Sequence, residues 1–358
     1  MKRSKRDNYL SIIKRTGYDY IPISFSWCPY LEKTCRESIN ELGKNMEIPW
    51  APVRGTGELA CKPIDINIFR RYFDDLKEGA TINIYGIANE PGSSAAMHMT
   101  YMRHPMEAFE SLSEMKEYPF PEFYSTPEMI EAQLKINNEL KKQDYIICGG
   151  MQCTIWETSW YMRGMENLMM DMLSDDEKAE YLLDRITDIA VMRAEYFAKT
   201  GADVLFLGDD VGMQHTIMMS EQLYCDWLKP RIKRVIDSAR KINPQIIIFY
   251  HSCGFVTPFI SHFAEVGIDV LNPVQPECMD FSKIHSAYGD IMSFDGTIGT
   301  QITMAFGSPE DVRREVFKNL KITGNKGGLL PCPTHLLEPE VPWENIKAYI
   351  KACYDFTL

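Results

Sequence analysis

Two short clusters of thiol and imidazole carry most of the chemical interest of this 358-residue chain. The first is His251-Ser252-Cys253, which follows the apolar, β-branched run Gln245-Ile246-Ile247-Ile248-Phe249-Tyr250. Such a run reads as a buried parallel strand, so the cluster falls at a strand's C-terminal end. An imidazole and a thiol two residues apart form half of a site for a thiophilic metal such as zinc. The second cluster, Leu329-Leu330-Pro331-Cys332-Pro333-Thr334-His335, also lies just past an apolar run and adds one thiol and one imidazole. Cys332 is the softer donor, and His335 lies further into its loop, where it can turn inward. Zinc with an open position can activate a bound group, which makes the chain an enzyme candidate. The other histidines suggest less. His98 and His104 fall in an irregular stretch, His215 in a loop, and His262 and His285 within predicted helices.

The elements that must position these residues alternate regularly. Strands are predicted at Tyr145–Gly150, Asp203–Gly208, Gln245–Tyr250, Asp269–Asn272, Ile291–Phe294 and Gly327–Leu330. Helical stretches separate them. One covers Met165 to Lys199, with Ser174 as a predicted N-cap near its middle, and another opens at Ser308-Pro309-Glu310 with a Ser cap and Pro in the first turn. Alternating strands and helices give right-handed βαβ units on a parallel sheet. With Tyr20–Phe25 as an early strand the count approaches eight, and the expected fold is an α/β (β/α)8 TIM barrel. A doubly wound open sheet is the alternative, but no Gly-rich dinucleotide loop follows an early strand. Residues 1–140 include an irregular N-terminal elaboration, with Thr81–Gly86 as a hairpin strand, expected to cap the barrel. Residues 1–358 are read as a single domain.

On this reading the polar residues fall at strand ends. Glu157 follows the first of these strands after a short loop, and Asp209 and Asp210 end the second. His251 and Cys253 end the third, Asn272 and Gln275 the fourth, Asp295 the fifth, and Cys332 and His335 the last. In a barrel all of them project toward the C-terminal face, where the active sites of this fold sit. Any one could be an ordinary capping or turn residue. Six in succession are harder to dismiss.

Composition narrows the partners. The formal charge is −12 and no long basic run exists, which argues against nucleic acid and anionic membranes. No stretch is apolar for long enough to span a bilayer, and the basic start lacks the apolar segment of a signal peptide. The ten cysteines have no paired spacing, which fits reduced thiols and a cytoplasmic location.

Several segments together resemble the uroporphyrinogen decarboxylase superfamily, and most of all its cobalamin-dependent methyltransferase branch. They are Thr154-Ile155-Trp156-Glu157, Met162 to Asn167, Gly208-Asp209-Asp210-Val211-Gly212-Met213-Gln214, and His251-Ser252-Cys253-Gly254. Gly267 to Gln275 and the tail Pro333-Thr334-His335 … Pro342-Trp343-Glu344-Asn345-Ile346 complete the set. The likeness covers roughly residues 145–355, within the more family-like part at 141–358.

What the resemblance implies is a TIM barrel that binds zinc and works with the cobalamin of a separate corrinoid protein. In thiol-methylating members a His-x-Cys pair and a later Cys hold the zinc. Aligning the tail on Pro342 puts His335 at that later position, so His251, Cys253 and His335 are the implied ligands and Cys332 the alternate. A second departure is Phe294-Asp295-Gly296-Thr297-Ile298-Gly299, where related sequences often carry Phe-His-Gly-Gly-Ile-Asp. The Arg-rich segment with which true decarboxylases grip their substrate is also missing: Ser24-Phe25-Ser26-Trp27-Cys28-Pro29 stands in that region.

The expected reaction is methyl transfer between a small methylated substrate or thiol, such as a methoxylated aromatic, and cobalamin on the partner. Glu157 and Asp210 are the expected acid–base groups. Arg163 is the expected carboxylate anchor, or else an ion-pair partner of Glu166. Asp209, Asn272, Gln275 and Asp295 complete the substrate pocket. Trp27, Trp156, Trp160, Tyr161 and Phe294 are available to stack an aromatic substrate. The competing readings are a porphyrinogen decarboxylase and a non-catalytic small-molecule-binding barrel.

Overall fold

The computed structural model describes residues 2–92 and 100–356. His98 lies outside them. Seven parallel strands form one sheet in sequence order: β1 (Val53–Gly55), β2 (Ile146–Gln152), β3 (Val204–Gly208), β4 (Ile247–His251), β5 (Val270–Asn272), β6 (Ser293–Asp295) and β7 (Leu329–Leu330). The eighth place belongs to the stretch around Ile23. Ile23 makes a parallel bridge to Trp50 on one side, and Trp27 bridges Leu337 on the other. The predicted strand Tyr20–Phe25 therefore has the right position but pairs only at single residues. Pro22 lacks an amide hydrogen and breaks the ladder there.

The chain is thus a (β/α)8 barrel, with helices between successive strands. β1 lies inside the stretch read from sequence as irregular. Three residues are too few to show a period, and its neighbours Pro52 and Gly57 read as turn signals. Two small antiparallel sheets also lie in the N-terminal region. One pairs Ala60–Cys61 with Phe123–Tyr124, and the other joins Thr81–Ile82, Ala88–Pro91 and Thr100–Arg103.

Strand parity determines which side chains enter the barrel, because successive residues point to opposite faces. Ile146, Val204, Ile247, Phe249, Val270 and Leu330 form one buried cluster inside, with Cys148 and Phe206 packed against it. Tyr9, Ile12 and Ile13 of the helix Lys5–Ile13 join this cluster and plug the lower end. Arg6 on the same helix is bonded through both terminal nitrogens to Asp203, at 2.5 and 2.8 Å, which ties the plug to the start of β3. The alternate residues Ile147, Leu205, Leu207, Ile248, Tyr250 and Leu271 pack outward against the helices.

Continuing the inward series one step carries Ile247–Phe249 to His251, Val270 to Asn272 and Ser293 to Asp295. All three reach the C-terminal end of the interior. Phe206 lies below, stacked on Phe249 at 5.8 Å and 6.4 Å from the His251 ring. The long helix Glu177–Lys199 begins at an Asp176 cap rather than at Ser174, because the Asp176 carboxylate accepts from the Lys178 amide.

Candidate functional site

The register aligns Gly208, His251 and Asn272 across β3, β4 and β5. Gly208 must be small there. A β-carbon on it would lie 2.8 Å from the His251 β-carbon and 3.1 Å from its carbonyl oxygen. The loops beyond these strands touch through backbone. At Gly254, whose φ is +85°, a β-carbon would come within 2.7 Å of the Met213 carbonyl. This close approach lets the Cys253 amide donate to the Asp210 carboxylate at 2.8 Å.

The result is a compact group of metal-type donors. One ligand atom each from Asp210, His251 and Cys253 lies within 4.8 Å of the other two. The Cys253 sulfur is 3.4 Å, and an Asp210 oxygen 3.6 Å, from His251 Nε2. Among the described residues this is the one such group. His335 is exposed and lines the cavity in front of it, alongside Asp210 and Cys253, without joining the group. Cys332 is outside it as well. Asp210, rather than His335 or Cys332, is the side chain gathered next to the His-x-Cys pair.

A line of hydrogen bonds runs from this group down through the inward-facing residues. His251 Nδ1 is 2.6 Å from Asn272 Oδ1. The Asn272 amide nitrogen donates to Asp295, which also accepts from the Cys332 thiol at 3.2 Å. Because the amide gives its hydrogens to Asp295, its oxygen faces His251 and takes the Nδ1 hydrogen. Nε2 is left with its lone pair directed at Cys253 and Asp210, as a metal-binding imidazole requires. Burial pushes the Asp295 carboxyl up to about 6, against its bonds from Cys332 and Asn272. Burial, and then the Asp295 charge, hold the Cys332 thiol well above its usual range.

A second set stands behind Asp210. Glu157 accepts from the Tyr161 hydroxyl at 2.6 Å and from the Asp210 amide at 3.2 Å. Burial, then Asp210, raises its carboxyl above the ordinary value. The Cys253 thiol is raised by burial first and then by Asp210 and Glu157. Cys153, in a left-handed conformation with φ of 57°, points its sulfur at Tyr161 at 3.6 Å. The sequence offered no reason to pair Tyr161 and Cys153 with Glu157. The one available signal was the four-residue spacing of Glu157 and Tyr161 on a single helix face.

Several expected site residues occupy structural positions. Asp209 is 1% exposed, and its carboxylate accepts from the amides of Ile155 and Glu157. It thereby caps the first turn of the helix Trp156–Arg163. Arg163 is 6% exposed. Its Nε donates to Asp171 at 2.9 Å, and its Nη1 to the carbonyls of Met106, Glu107 and Phe109. Its ion-pair partner is Asp171 rather than Glu166. Gln275 is buried at the cavity wall and accepts from the Gly254 amide at 3.1 Å, fixing the Cys253 loop. Trp156 and Phe294 are core residues. Trp27 and Trp160 are partly buried, Trp27 edge-on to Phe25 and Trp160 to Tyr161.

The cavity has a volume of about 570 Å³. Its wall combines Asp210, Cys253 and Gln275 with residues of two later loops, Thr300–Phe306 and Thr334–Val341. Thr300 and Thr334 are hydrogen-bonded to each other, which joins those loops. A reciprocal amide pair, Gln214 with Gln301 at 3.0 and 3.1 Å, links the first of these loops to the Asp210 loop.

Comparison with known proteins agrees with this architecture. The profile of the uroporphyrinogen decarboxylase (URO-D) family matches residues 83–356. A methylated-thiol–coenzyme M methyltransferase of Methanosarcina mazei is 28% identical over 203 residues, 54% of this chain and 49% of the relative. The methylcobamide:CoM methyltransferase MtaA of Methanosarcina barkeri is 26% identical over 226 residues, 63% of this chain and 62% of the relative. A uroporphyrinogen decarboxylase of Legionella pneumophila is 22% identical over 262 residues, 71% and 70% of the two chains. The chain thus spans between about half and under two thirds of the two methyltransferases it matches. In structure, a methyltransferase from Methanosarcina mazei superposes with a TM-score of 0.60 at 18% identity, covering 98% of each chain. That likeness concerns the fold.

Proposed function

This chain belongs to the uroporphyrinogen decarboxylase family, and on that premise we propose that it is a zinc-dependent methyltransferase. It moves a methyl group between a small substrate and the cobalamin of a separate corrinoid protein, and works as a single barrel domain in the cytoplasm. The observation that carries this reading is the gathering of His251 Nε2, the Cys253 sulfur and the Asp210 carboxylate at the barrel's C-terminal end. The names of the two methyltransferase relatives support the reaction class. Among the described residues, no helix is long and apolar enough to cross a membrane.

The donor set fits zinc. It offers one imidazole with a free lone pair, one thiol and one carboxylate, and it leaves a fourth position toward the cavity. When bound there, zinc supplies Lewis acidity and holds sulfur ligands as thiolates at neutral pH. The chain's own residues do the rest. Asn272 fixes the His251 ring, and Asp295 fixes Asn272. Gln275 and the Asp210–Cys253 amide contact hold the Cys253 loop against the Asp210 loop. Glu157, gripped by Tyr161 and the Asp210 amide, is a carboxyl whose raised proton affinity suits it to exchange a proton beside the reacting atoms. His335 faces the substrate across the cavity.

A porphyrinogen decarboxylase would need convergent Arg or Lys side chains for its substrate's carboxylates. Among the described residues, the wall of this cavity has none. The methyl-transfer reading is tested by incubating zinc-loaded protein with cob(I)alamin and a panel of methylated donors. Donor-dependent methylation, faster with a cognate corrinoid protein than with free cofactor, supports it. Stoichiometric cobalamin carried by the purified chain, or carbon dioxide released from a porphyrinogen, overturns it.

A further inference from the structure

We propose that the inside of the barrel beside Gly150 is a binding slot for a planar aromatic ring, laid on the uncovered face of Phe206. Neither residue lines the cavity of Asp210 and Cys253. The proposal rests on the methyl-transfer reading only in taking that ring as part of the substrate.

Strand parity places Gly150 in the interior. Its neighbour Gly149 faces the helices, where an added β-carbon would lie 2.4 Å from the Phe197 ring. Gly150 therefore faces the other way, in series with Ile146 and Cys148. An inward position on a barrel strand is normally filled by a side chain. Here Gly150 is exposed, and a β-carbon built on it meets no atom within 4 Å. The same holds for Gly55 on β1, the register partner of Cys148. β1 ends at Gly55, and the Gly150 carbonyl accepts from Arg193 Nη2 at 3.0 Å instead of from a strand amide.

Phe206 forms the other side of the slot. It is level with Gly150 in the register of β2 and β3, and half-buried. Its ring leans toward β4 and stacks on Phe249 at 5.8 Å, with 20° between the planes. The opposite face is turned to β2, where Gly150 supplies no side chain to cover it. Such a face takes a flat ring in offset stacking, in full contact within one ring thickness. Trp156 and Phe294, which the sequence offered for stacking, are core residues, and Phe206 takes their place.

The slot has a floor and a rim. Cys148 is one inward step below Gly150, and burial pushes its thiol up to about 12, so the floor is uncharged. Gln152 is one inward step above. Its side chain is exposed and has no hydrogen bond to any described residue, which leaves an amide for a polar substituent on the ring. Gln152 is level with Gly208, and Gly208 with His251. Gly150 thus lies two residues, about 6.6 Å, below the level of His251. A ring with one substituent spans that distance and brings the substituent up to the metal-type donors.

The test is a ligand-observed NMR titration of metal-free protein with benzyl alcohol and its saturated counterpart, cyclohexylmethanol. Benzyl alcohol is expected to bind with a Kd on the order of 1–10 mM. That is about two- to tenfold tighter than the saturated ring, the range of one aromatic pair. Gly150→Val fills the slot and is expected to abolish benzyl alcohol binding while leaving the melting temperature unchanged, because its side chain enters open space on a strand. Phe206→Leu is expected to remove the preference for the flat ring. If Phe206→Leu fails to fold, Gly150→Val decides alone. Equal binding of the two alcohols, no benzyl alcohol binding up to about 50 mM, or binding that survives Gly150→Val overturns the proposal. These titrations contain neither zinc nor cobalamin, so their failure leaves the methyl-transfer reading to its own test.

Discussion

Removing the amide of Asn272 probes how the proposed metal centre would be held without touching any of its proposed ligands. His251 Nδ1 and Asn272 Oδ1 are 2.6 Å apart, and this contact fixes both the tautomer and the ring plane of His251. In Asn272→Ala the Nδ1 hydrogen loses its acceptor, so the ring can rotate and the proton can shift to Nε2, where it blocks coordination. Loss of such an outer partner typically costs 10- to 100-fold in metal affinity, or about 1.4–2.7 kcal/mol. The substitution also strips Asp295 of one donor, leaving the Cys332 thiol. Asp295→Asn keeps Asn272 in place and should cost less, because the disturbance starts one bond further from the imidazole. Zinc affinity is measured by competition with a chromophoric chelator, beside a thermal melt that reports folding. An Asn272→Ala protein that melts normally and binds zinc within twofold of the parent would refute the argument that Asn272 orients His251.

Other outcomes follow from single contacts. Arg163→Ala leaves the buried Asp171 with Lys178 at 3.8 Å as its remaining cation and takes the Arg163 donor from the Phe109 carbonyl, and should destabilise the fold by up to about 3 kcal/mol, read by urea denaturation. Asp295 holds its proton to about pH 6 in the folded chain, whereas an unfolded Asp releases it near 3.8. Stability should therefore fall as pH rises through that window, by at most roughly 3 kcal/mol, and Asp295→Asn should flatten this slope in metal-free protein. Gly208→Ala forces a β-carbon to 2.8 Å from that of His251, and should lower zinc content more than it lowers the melting temperature. His335→Ala should keep its zinc, because the geometry gathers Asp210 rather than His335 at the His-x-Cys pair. If that variant loses the metal, the loop carrying His335 closes onto the site when zinc binds.

The parts of this architecture that were legible in the sequence are those with a period. Six of the seven sheet strands were expected, since each is an apolar run followed by a polar strand end. β1 was not, because Val53-Arg54-Gly55 is too short to alternate and owes its place to pairing with β2. His251, Cys253 and Asp210 were identified by chemical type and strand-end position, and the fold does bring them together. The side chains that changed meaning are those whose partners lie far away in sequence. Asp209 turns back to cap the helix after β2, and Arg163 reaches into the 106–109 turn. Asn272, expected at the substrate, bonds His251 instead, an alignment fixed by sheet register. Sequence gives residue type and parity, but register and loop closure decide which of two adjacent carboxylates faces the cavity.

X-ray absorption at the zinc edge of protein purified without chelator tests the central claim most directly. The account predicts one zinc per chain with a single sulfur neighbour at about 2.3 Å and the remaining neighbours nitrogen or oxygen. That sulfur should vanish in Cys253→Ser and persist in Cys332→Ser. Absence of zinc, or a sulfur signal that survives Cys253→Ser and disappears in Cys332→Ser, would contradict it.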